Sequence, residues 1–141
     1  MSSEAAIERV ETLDPALLAQ CDFSFGTSAG YPFDSAFAVP RAGRLLALVR
    51  IDREVAGYIA CTIAGAAAEV RRLEIDRGVR GQGLGRRLLD EGRLWATEQG
   101  LAALQLETLA DNPYAGRFFG HYGFTLAREA DALHWHLSLP R

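Results

Sequence analysis

Three glycines within six residues form the segment of this chain most suited to ligand chemistry, Arg80-Gly81-Gln82-Gly83-Leu84-Gly85. Because glycine has no Cβ atom, such a backbone can approach a ligand closely. A helical pattern follows the segment, so unpaired N–H groups and the positive end of a helix dipole would lie beside it. The combination predicts an anion site suited to a phosphate or pyrophosphate. The alternative is a tight structural turn without a ligand.

Two familiar glycine-rich loops do not fit this segment. A dinucleotide fingerprint needs glycines at its first, third and sixth positions, and neither Gly81 nor Gly83 starts such a series. A P-loop ends in Gly-Lys-Ser or Gly-Lys-Thr, whereas Gly85 is followed by two arginines. The pattern that the segment does contain is Arg-x-x-Gly-x-Gly, formed by Arg80, Gly83 and Gly85.

A second motif lies downstream of the glycine segment. It reads Asn112-Pro-Tyr-Ala-Gly-Arg-Phe-Phe119, followed by Gly123-Phe124. The two motifs together resemble those of the GNAT superfamily of N-acetyltransferases, whose second signature is Asn-x-x-Ala-x-x-Phe-Tyr-x-x-x-Gly-Phe. The resemblance covers roughly residues 45–127. It implies an acetyl-CoA-dependent N-acetyltransferase: one α/β domain over residues 1–141, with a mixed, mostly antiparallel central sheet of six to seven strands flanked by helices.

The resemblance also implies which residues hold acetyl-CoA, the co-substrate. In the family the loop amides hold the pyrophosphate, which assigns cofactor binding to Arg80, Gly81, Gln82, Gly83, Leu84, Gly85 and Arg86. The preceding strand would pair with the pantetheine arm through main-chain groups near Leu73 and Ile75. Asn112 matches a family asparagine whose side chain contacts the arm. Capping of the helix that begins at Pro113 is the other role open to Asn112.

Carboxylates near the two motifs are candidates for the group that removes a proton from an ammonium acceptor. Three lie in this part of the sequence: Glu69, Glu74 and Glu107. Glu69 matches an acidic position in many resembling sequences, and Glu107 lies on the neighbouring predicted strand. We expect Glu69 and Glu107 to bind a cationic acceptor and relay its proton. Each is alternatively a solvated charge at a strand end.

The position of the general acid departs from the family pattern. The family usually has a tyrosine where this chain has Phe119, and a phenol there protonates the leaving thiolate. Phe119 has no such proton. Tyr122, three residues further on, is our candidate for the acid, with Tyr114 one turn earlier as a second. Water is the remaining alternative, because a thiol is already a fairly good leaving group.

Composition and charge exclude several other classes. The 141 residues are 49% hydrophobic and 23% charged, as expected for one folded soluble domain. The formal net charge of −3 gives no general attraction to nucleic acid or to an anionic membrane. No apolar run approaches the roughly 20 residues of a membrane span, and the first residues lack the features of a signal peptide. Cys21 and Cys61 form no Cys-x-x-Cys pair, so a reduced cytoplasmic compartment is expected.

Two histidines near the end of the chain are the other candidate ligands. His134 and His136 would share one face of a closing strand, because side chains alternate along a strand. Two histidines alone do not complete a zinc site. No third ligand is evident, so no metal is expected.

The elements that must position these residues follow from periodicity and turn signals. We predict helices at Leu13–Gln20, Leu84–Gln99 and Pro113–His121, and strands at Leu45–Ile51, Val55–Ile63, Ala67–Ile75, Ala103–Thr108, Gly123–Ala127 and Ala132–Leu139. A three-residue hairpin is predicted at Asp52-Arg53-Glu54. Val70 is out of phase with Leu73 and Ile75. Either both faces of that strand are covered or a bulge shifts its phase, and the resemblance favours the bulge.

The acceptor is the least defined part of the prediction. An aromatic-rich irregular segment from Asp22 to Gly43 would shape the acceptor side, or would simply bury its own rings. We favour a primary amine on a small molecule, and some local features loosely resemble streptothricin acetyltransferases. Protein or peptide acetylation is the first alternative, and a non-catalytic acyl-CoA-binding module is the second. A homodimer through the Ala132–Leu139 strand is also open.

Overall fold

The computed structural model of the chain describes residues 4–24 and 32–140. These residues form seven strands and three α-helices. The strands are β1 (Ala5–Arg9), β2 (Arg44–Ile51), β3 (Glu54–Ala64), β4 (Ala67–Ile75), β5 (Ala103–Thr108), β6 (Thr125–Glu129) and β7 (Leu133–Ser138); the helices are α1 (Pro15–Leu18), α2 (Leu84–Glu98) and α3 (Pro113–Tyr122). Short 3₁₀ turns lie at Ser35–Ala38 and Arg77–Val79.

All seven strands join one sheet in the order β1-β2-β3-β4-β5-β7-β6. Neighbours pair antiparallel except β4 and β5, which are parallel. A parallel pair needs a long crossover, and α2 supplies it between the two strands. The mixed, mostly antiparallel sheet that we predicted is therefore confirmed, with seven strands.

The two faces of the sheet carry separate apolar clusters. Helices α2 and α3 cover one face, where Leu88, Leu89 and Phe119 pack with inward residues of the strands. A Cβ at Gly92 would lie 3.2 Å from Ile59 Cδ1, so this glycine lets α2 approach β3 closely. Helix α1 and the Ser35–Ala38 turn cover the opposite face. We call this opposite face the α1 face below.

Several boundaries differ from the sequence predictions, most of all near the beginning of the chain. The first helix ends at Leu18 instead of Gln20, although Asp14 caps it and Pro15 begins it as expected. Strand β1 was not predicted. It pairs with β2 at the edge of the sheet, and only Ala5 and Ile7 of its five residues are partly buried, so the alternation is very short. Short edge strands of this kind carry a weak sequence signal.

The β2–β3 hairpin is tighter than predicted. Ile51 pairs directly with Glu54, so the turn has two residues, Asp52 and Arg53, instead of three. Both adopt positive φ angles, of 50° and 76°. Two-residue turns of this sort match the right-handed twist of the strands and usually contain Asn or Gly. Asp-Arg is an uncommon pair for it, which is why the sequence favoured a longer loop.

The predicted dimer strand lies inside the sheet. Strand β7 is hydrogen-bonded to β5 on one side and to β6 on the other. It therefore has no free edge with which to pair across a dimer, and this part of the prediction is wrong. In the part of the chain that the structure describes, the free edge on this side of the sheet belongs to β6.

The aromatic segment is described in part. Phe25 and Tyr31 lie outside the described residues. Phe37 is buried, and Phe23 and Phe33 pack against the same cluster on the α1 face. The described rings are therefore used in packing, and Phe23 contacts Tyr58 edge to face at 5.7 Å between ring centroids.

Candidate active site

Strands β4 and β5 separate halfway along their length. They pair only from Ala67 to Glu69 on β4, against Ala103 to Gln105 on β5, although β4 continues to Ile75 and β5 to Thr108. The register of β3 against β4 shifts at the same place, where Ala60 pairs with Arg72 and Cys61 with Val70. Arg71 is the extra residue, which confirms the predicted bulge. A bulge bends the strand that carries it.

A cavity of about 550 Å³ opens where the two strands separate. We call it the cleft. Among the described residues, its walls come from the second half of β4, the end of β5, the glycine segment with the start of α2, and the first turns of α3. Of the predicted cofactor residues, the lining includes Leu73, Ile75, Arg80, Gly81, Gly83, Leu84, Gly85, Arg86 and Asn112. Gln82 is the predicted residue that is not part of this lining.

The glycines of the segment serve two different purposes. Gly81 and Gly83 have φ angles of +82° and +81°, a conformation that other residues rarely adopt. No described atom lies within 4 Å of a Cβ built on either. Gly85 lies inside the first turn of α2, where a Cβ would be 3.0 Å from Phe118 Cζ. Gly81 and Gly83 therefore shape the loop, and Gly85 allows α3 to pack on α2.

The start of α2 presents backbone N–H groups to the cleft. Gly83 precedes the helix and makes no side-chain capping bond. The first bond of the helix is donated by the Arg87 N–H to the Gly83 carbonyl at 3.1 Å. The N–H groups of Leu84, Gly85 and Arg86 come before this bond and have no partner within the helix. Such groups, at the positive end of the helix dipole, bind phosphate oxygens.

The Arg80 side chain holds the loop in place. Its guanidinium donates to the Ile75 carbonyl at 3.1 Å and to the Ser24 carbonyl at 2.7 Å. The pKa of Arg80 is lowered, mainly because the side chain is partly buried. These bonds join the loop to the end of β4 and to the segment after α1. The side chain thus has a structural role, and a contact between cofactor and Arg80 is left to its backbone.

Asn112 caps α3, which was one of the two roles open to it. Its Oδ1 accepts from the Ala115 N–H at 3.2 Å. The residue also lines the cleft. A hydrogen bond from its amide group to the pantetheine arm remains a prediction, which the observed cap leaves possible because the cap uses only Oδ1.

The two predicted carboxylates, Glu69 and Glu107, come together at the β5 side of the cleft. Glu69 is opposite Gln105, and Glu107 is opposite His134 on β7. Both also line a small pocket of about 140 Å³ on the α1 face, with His134 and His136. Glu107 Oε1 is 3.4 Å from His134 Nδ1. The pocket thus gathers two carboxylates and two imidazoles from three strands.

A third carboxylate, Glu74, is more buried than either of these. Glu74 as a whole residue is 8% exposed, whereas the side chains of Glu69 and Glu107 are 26% and 56% exposed. Tyr58 lies directly opposite it on β3, and its phenol favours the charged form of the carboxylate. Burial raises the pKa of Glu74, against the opposing effects of Tyr58, Arg72 and Arg80. The sequence did not indicate Tyr58, because its link to Glu74 depends on strand register.

Tyr122 does not lie in the cleft. Its hydroxyl donates to Asp90 Oδ1 on α2 at 2.7 Å, and the guanidinium groups of Arg86 and Arg93 lie over its ring. Burial and the Asp90 bond raise the pKa of Tyr122 to about 12. The phenol therefore serves the contact between α2 and α3, and the structure does not support its assignment as the acid. Tyr114, the second candidate, does line the cleft and is exposed.

The described residues contain neither a metal-binding cluster nor a membrane-spanning helix. No group of three or more His, Cys, Asp or Glu side chains is arranged to hold a metal ion in residues 4–24 and 32–140. In the same residues, no helix combines the length and the apolar character needed to cross a membrane.

Comparisons with known proteins agree with this architecture. A sequence model described as the acetyltransferase (GNAT) family matches residues 10–124. No curated protein sequence matches the chain significantly. Among solved structures, a candidate streptothricin acetyltransferase from Bacillus anthracis str. Ames, in complex with acetyl coenzyme A, has a TM-score of 0.84 at 18% identity, covering 97% of this chain and 99% of that one.

Two more solved structures are similar over nearly their full length. The ribosomal-protein-S18-alanine N-acetyltransferase from Escherichia coli has a TM-score of 0.81 at 21% identity, covering 98% of this chain and 96% of that one. Nourseothricin acetyltransferase has a TM-score of 0.76 at 21% identity, covering 96% of this chain and 99% of that one. Because the sequence identities are low, these structural similarities establish the fold alone.

Proposed function

The chain belongs to the GNAT acetyltransferase family and uses acetyl-CoA, and from that premise we propose that it transfers the acetyl group to a primary amine of a small molecule. The observation that carries the proposal is the cleft between β4 and β5. An anion-binding loop lies at one end of it, and carboxylates that suit a cationic amine lie at the other. Family membership favours an enzyme over a non-catalytic binding module.

The residues present fit acetyl-CoA at the glycine end. Gly81 and Gly83 have positive φ angles, and no described atom lies within 4 Å of a Cβ built on either, so a ligand can approach the loop backbone closely there. We assign the pyrophosphate to the loop amides from Arg80 to Arg86, and the pantetheine arm to main-chain groups of Leu73 and Ile75. Those two residues lie beyond the last β4–β5 pair, where no described strand pairs with β4 on that side.

The carboxylate end binds the acceptor. Glu69 and Glu107 attract an ammonium group and hold its nitrogen near the point where the strands separate. Positioning of this kind supplies much of the rate acceleration in a two-substrate transfer. The ammonium must also lose a proton to a nearby base before it attacks. Since Phe119 provides no proton, water or Tyr114 at the rim protonates the departing thiolate.

A small acceptor is favoured over a protein by the dimensions of the carboxylate pocket. Its volume is about 140 Å³, and residues of four strands line it. Two of the structural relatives carry names of enzymes that act on antibiotics, and one carries the name of an enzyme that acts on a ribosomal protein. The relatives therefore do not distinguish a small-molecule acceptor from a protein acceptor. The size of the pocket is the reason that we favour a small molecule.

The test is a direct one. Acetyl-CoA is titrated into the protein by calorimetry, and thiol release is then followed on the same sample with polyamines, aminoglycosides, streptothricin and basic peptides. We expect saturable release with a small amine, at a kcat/KM at least tenfold above that for any peptide. Release with peptides alone would assign a protein acceptor instead. Binding without release from any amine would contradict the proposed acceptor class.

A further inference from the structure

Glu74 is a buried carboxylate that the proposed roles do not use. It lies in the second half of β4, between the two residues assigned to the pantetheine arm, and it lines the cleft. Leu73 and Ile75 pack with the cluster beneath α2. Because side chains alternate along a strand, Glu74 is directed to the α1 face, as are Glu69 and Glu107 beyond the bulge.

Neighbouring elements hold Glu74 in one position. Tyr58 on β3 is 1% exposed and lies directly opposite Glu74, so its phenol packs on the same face of the sheet as the carboxylate. The Phe23 ring packs edge to face on the Tyr58 ring. On the backbone side, a Cβ at Gly57 would lie 2.5 Å from the Glu74 carbonyl oxygen, so β3 and β4 are in very close contact here. A carboxylate fixed in this way is preorganised, because little rearrangement is needed for it to act.

The charged and titratable groups around Glu74 come from three elements. Tyr58 belongs to β3, Arg72 to β4, and Arg80 to the loop before α2. Asp34, which caps the Ser35–Ala38 turn, acts on Tyr58 from the side of α1. Burial is the largest influence on Glu74 and raises its pKa, whereas Tyr58 and the two arginines lower it. A base works best when its pKa lies near the working pH.

We propose that Glu74 is the proton acceptor of the acetyl transfer and that Tyr58 is its positioning residue. The inference rests on the proposed function. The substrate ammonium gives one proton to the Glu74 carboxylate, directly or through one water. The neutral nitrogen attacks the thioester carbonyl carbon, the new C–N bond forms and the C–S bond breaks. The nitrogen's second proton passes through water or Tyr114 to the thiolate, which leaves as the CoA thiol, and Glu74 releases its proton to water.

Exposure distinguishes the role of Glu74 from those of Glu69 and Glu107. Glu107 is more than half exposed and lies beside His134, and Glu69 has Arg71 Nη1 at 3.7 Å. Both carboxylates are in contact with water, where an incoming ammonium group can reach them. Glu74 is shielded from water and lies opposite a buried phenol. The geometry therefore divides the work, with cation binding at Glu69 and Glu107 and proton acceptance at Glu74.

The first test is Glu74→Gln, which keeps the size of the side chain. We expect kcat with the best small amine to fall about 100-fold, within the usual contribution of a general base, while acetyl-CoA affinity stays within twofold of wild type. Glu91→Gln is the matched control, because Glu91 lies on α2 in an ion pair with Arg9 and outside the cleft lining. We expect its kcat to match wild type.

The second test is Tyr58→Phe, read as a pH profile of kcat. The Tyr58 hydroxyl favours the charged form of the Glu74 carboxylate, so its removal raises the pKa of Glu74. The acid limb of the profile should then move to higher pH. Tyr122→Phe is the matched control: it removes a hydroxyl bonded to a carboxylate, Asp90, at a position outside the cleft. Its profile should coincide with that of wild type.

Three results would overturn the inference in different ways. Wild-type kcat in Glu74→Gln would remove Glu74 as the proton acceptor and leave the proposed function intact. An acid limb unmoved in Tyr58→Phe, with normal acetyl-CoA affinity as evidence of folding, would remove the positioning role. Absence of thiol release from wild type with every amine would overturn the inference together with the proposed function.

Discussion

The two ends of the cleft are built by different means. The cofactor end is one contiguous segment whose shape depends on backbone dihedral angles at Gly81 and Gly83. The acceptor end is assembled from side chains of β3, β4, β5 and β7, far apart in the sequence. A ligand site made by local backbone geometry is encoded locally. A site made by converging side chains is encoded by the topology of the sheet.

The largest effect should come from damaging the backbone geometry of the cofactor end. Gly83→Val places a β-branched residue at a φ of +81°, a strain of roughly 1–2 kcal/mol or more for an L residue. Relief of that strain moves the loop N–H groups. We expect acetyl-CoA affinity, measured by calorimetry, to fall about 100-fold, which corresponds to about 2.8 kcal/mol.

Gly43→Val is the matched control for that change. Gly43 also has a strongly positive φ, of +77°, and no described atom lies within 4 Å of its Cβ position. It precedes β2 and is not part of the cleft lining. The substitution should lower stability by a similar amount and leave acetyl-CoA affinity unchanged. Equal losses of affinity in the two variants would show that strain, and not loop geometry, is responsible.

A smaller effect is expected from the acceptor end, and on the other substrate. Glu107→Gln removes one of the two carboxylates proposed to hold the ammonium, and Glu69 remains. We expect the acceptor KM to rise about tenfold, or about 1.4 kcal/mol, with acetyl-CoA affinity and kcat within twofold of wild type. Glu98 lies on α2 and forms an exposed ion pair with Arg9 of β1. The control variant Glu98→Gln should leave the acceptor KM, the acetyl-CoA affinity and kcat unchanged. A fall in kcat for Glu107→Gln would move proton transfer from Glu74 to Glu107.

The same contrast explains what the sequence did and did not reveal. The sequence predicts the loop and the Asn112 motif from the fixed spacing of their residues. It predicts the range of α2 from 3.6-residue periodicity and that of β5 from a short apolar run. It does not predict the interior position of β7, because the order of strands in a sheet leaves no trace in local pattern. The Tyr58–Glu74 pair depends on the register of two strands. Tyr122 is close enough in sequence to Phe119 to be a candidate for the general acid. Its position on α3, however, directs the side chain towards Asp90 on α2.

Tyr122→Phe tests the conclusion that this residue belongs to the helix layer. Loss of its bond to Asp90 should reduce the free energy of unfolding by about 1 kcal/mol at pH 8, with no change in kcat. Because the folded-state pKa is raised to about 12, the phenol favours folding below its ordinary value near 10, and this benefit is lost as pH rises towards 12. The stability difference between wild type and variant should therefore shrink over that range, as measured by urea unfolding.

The smallest effect should come from a glycine that has neither of the roles found in the cleft. Gly120 lies within α3, its φ is not positive, and nothing described lies within 4 Å of its Cβ position. Gly120→Ala should therefore stabilise the helix, by about 0.5–1 kcal/mol, since glycine is the poorer helix former by that amount. Thermal unfolding would measure the gain, and acetyl-CoA affinity should not change. Destabilisation would mean that Gly120, like Gly85 beside Phe118, is held by a close contact, and the distinction between conformational and packing glycines would need revision.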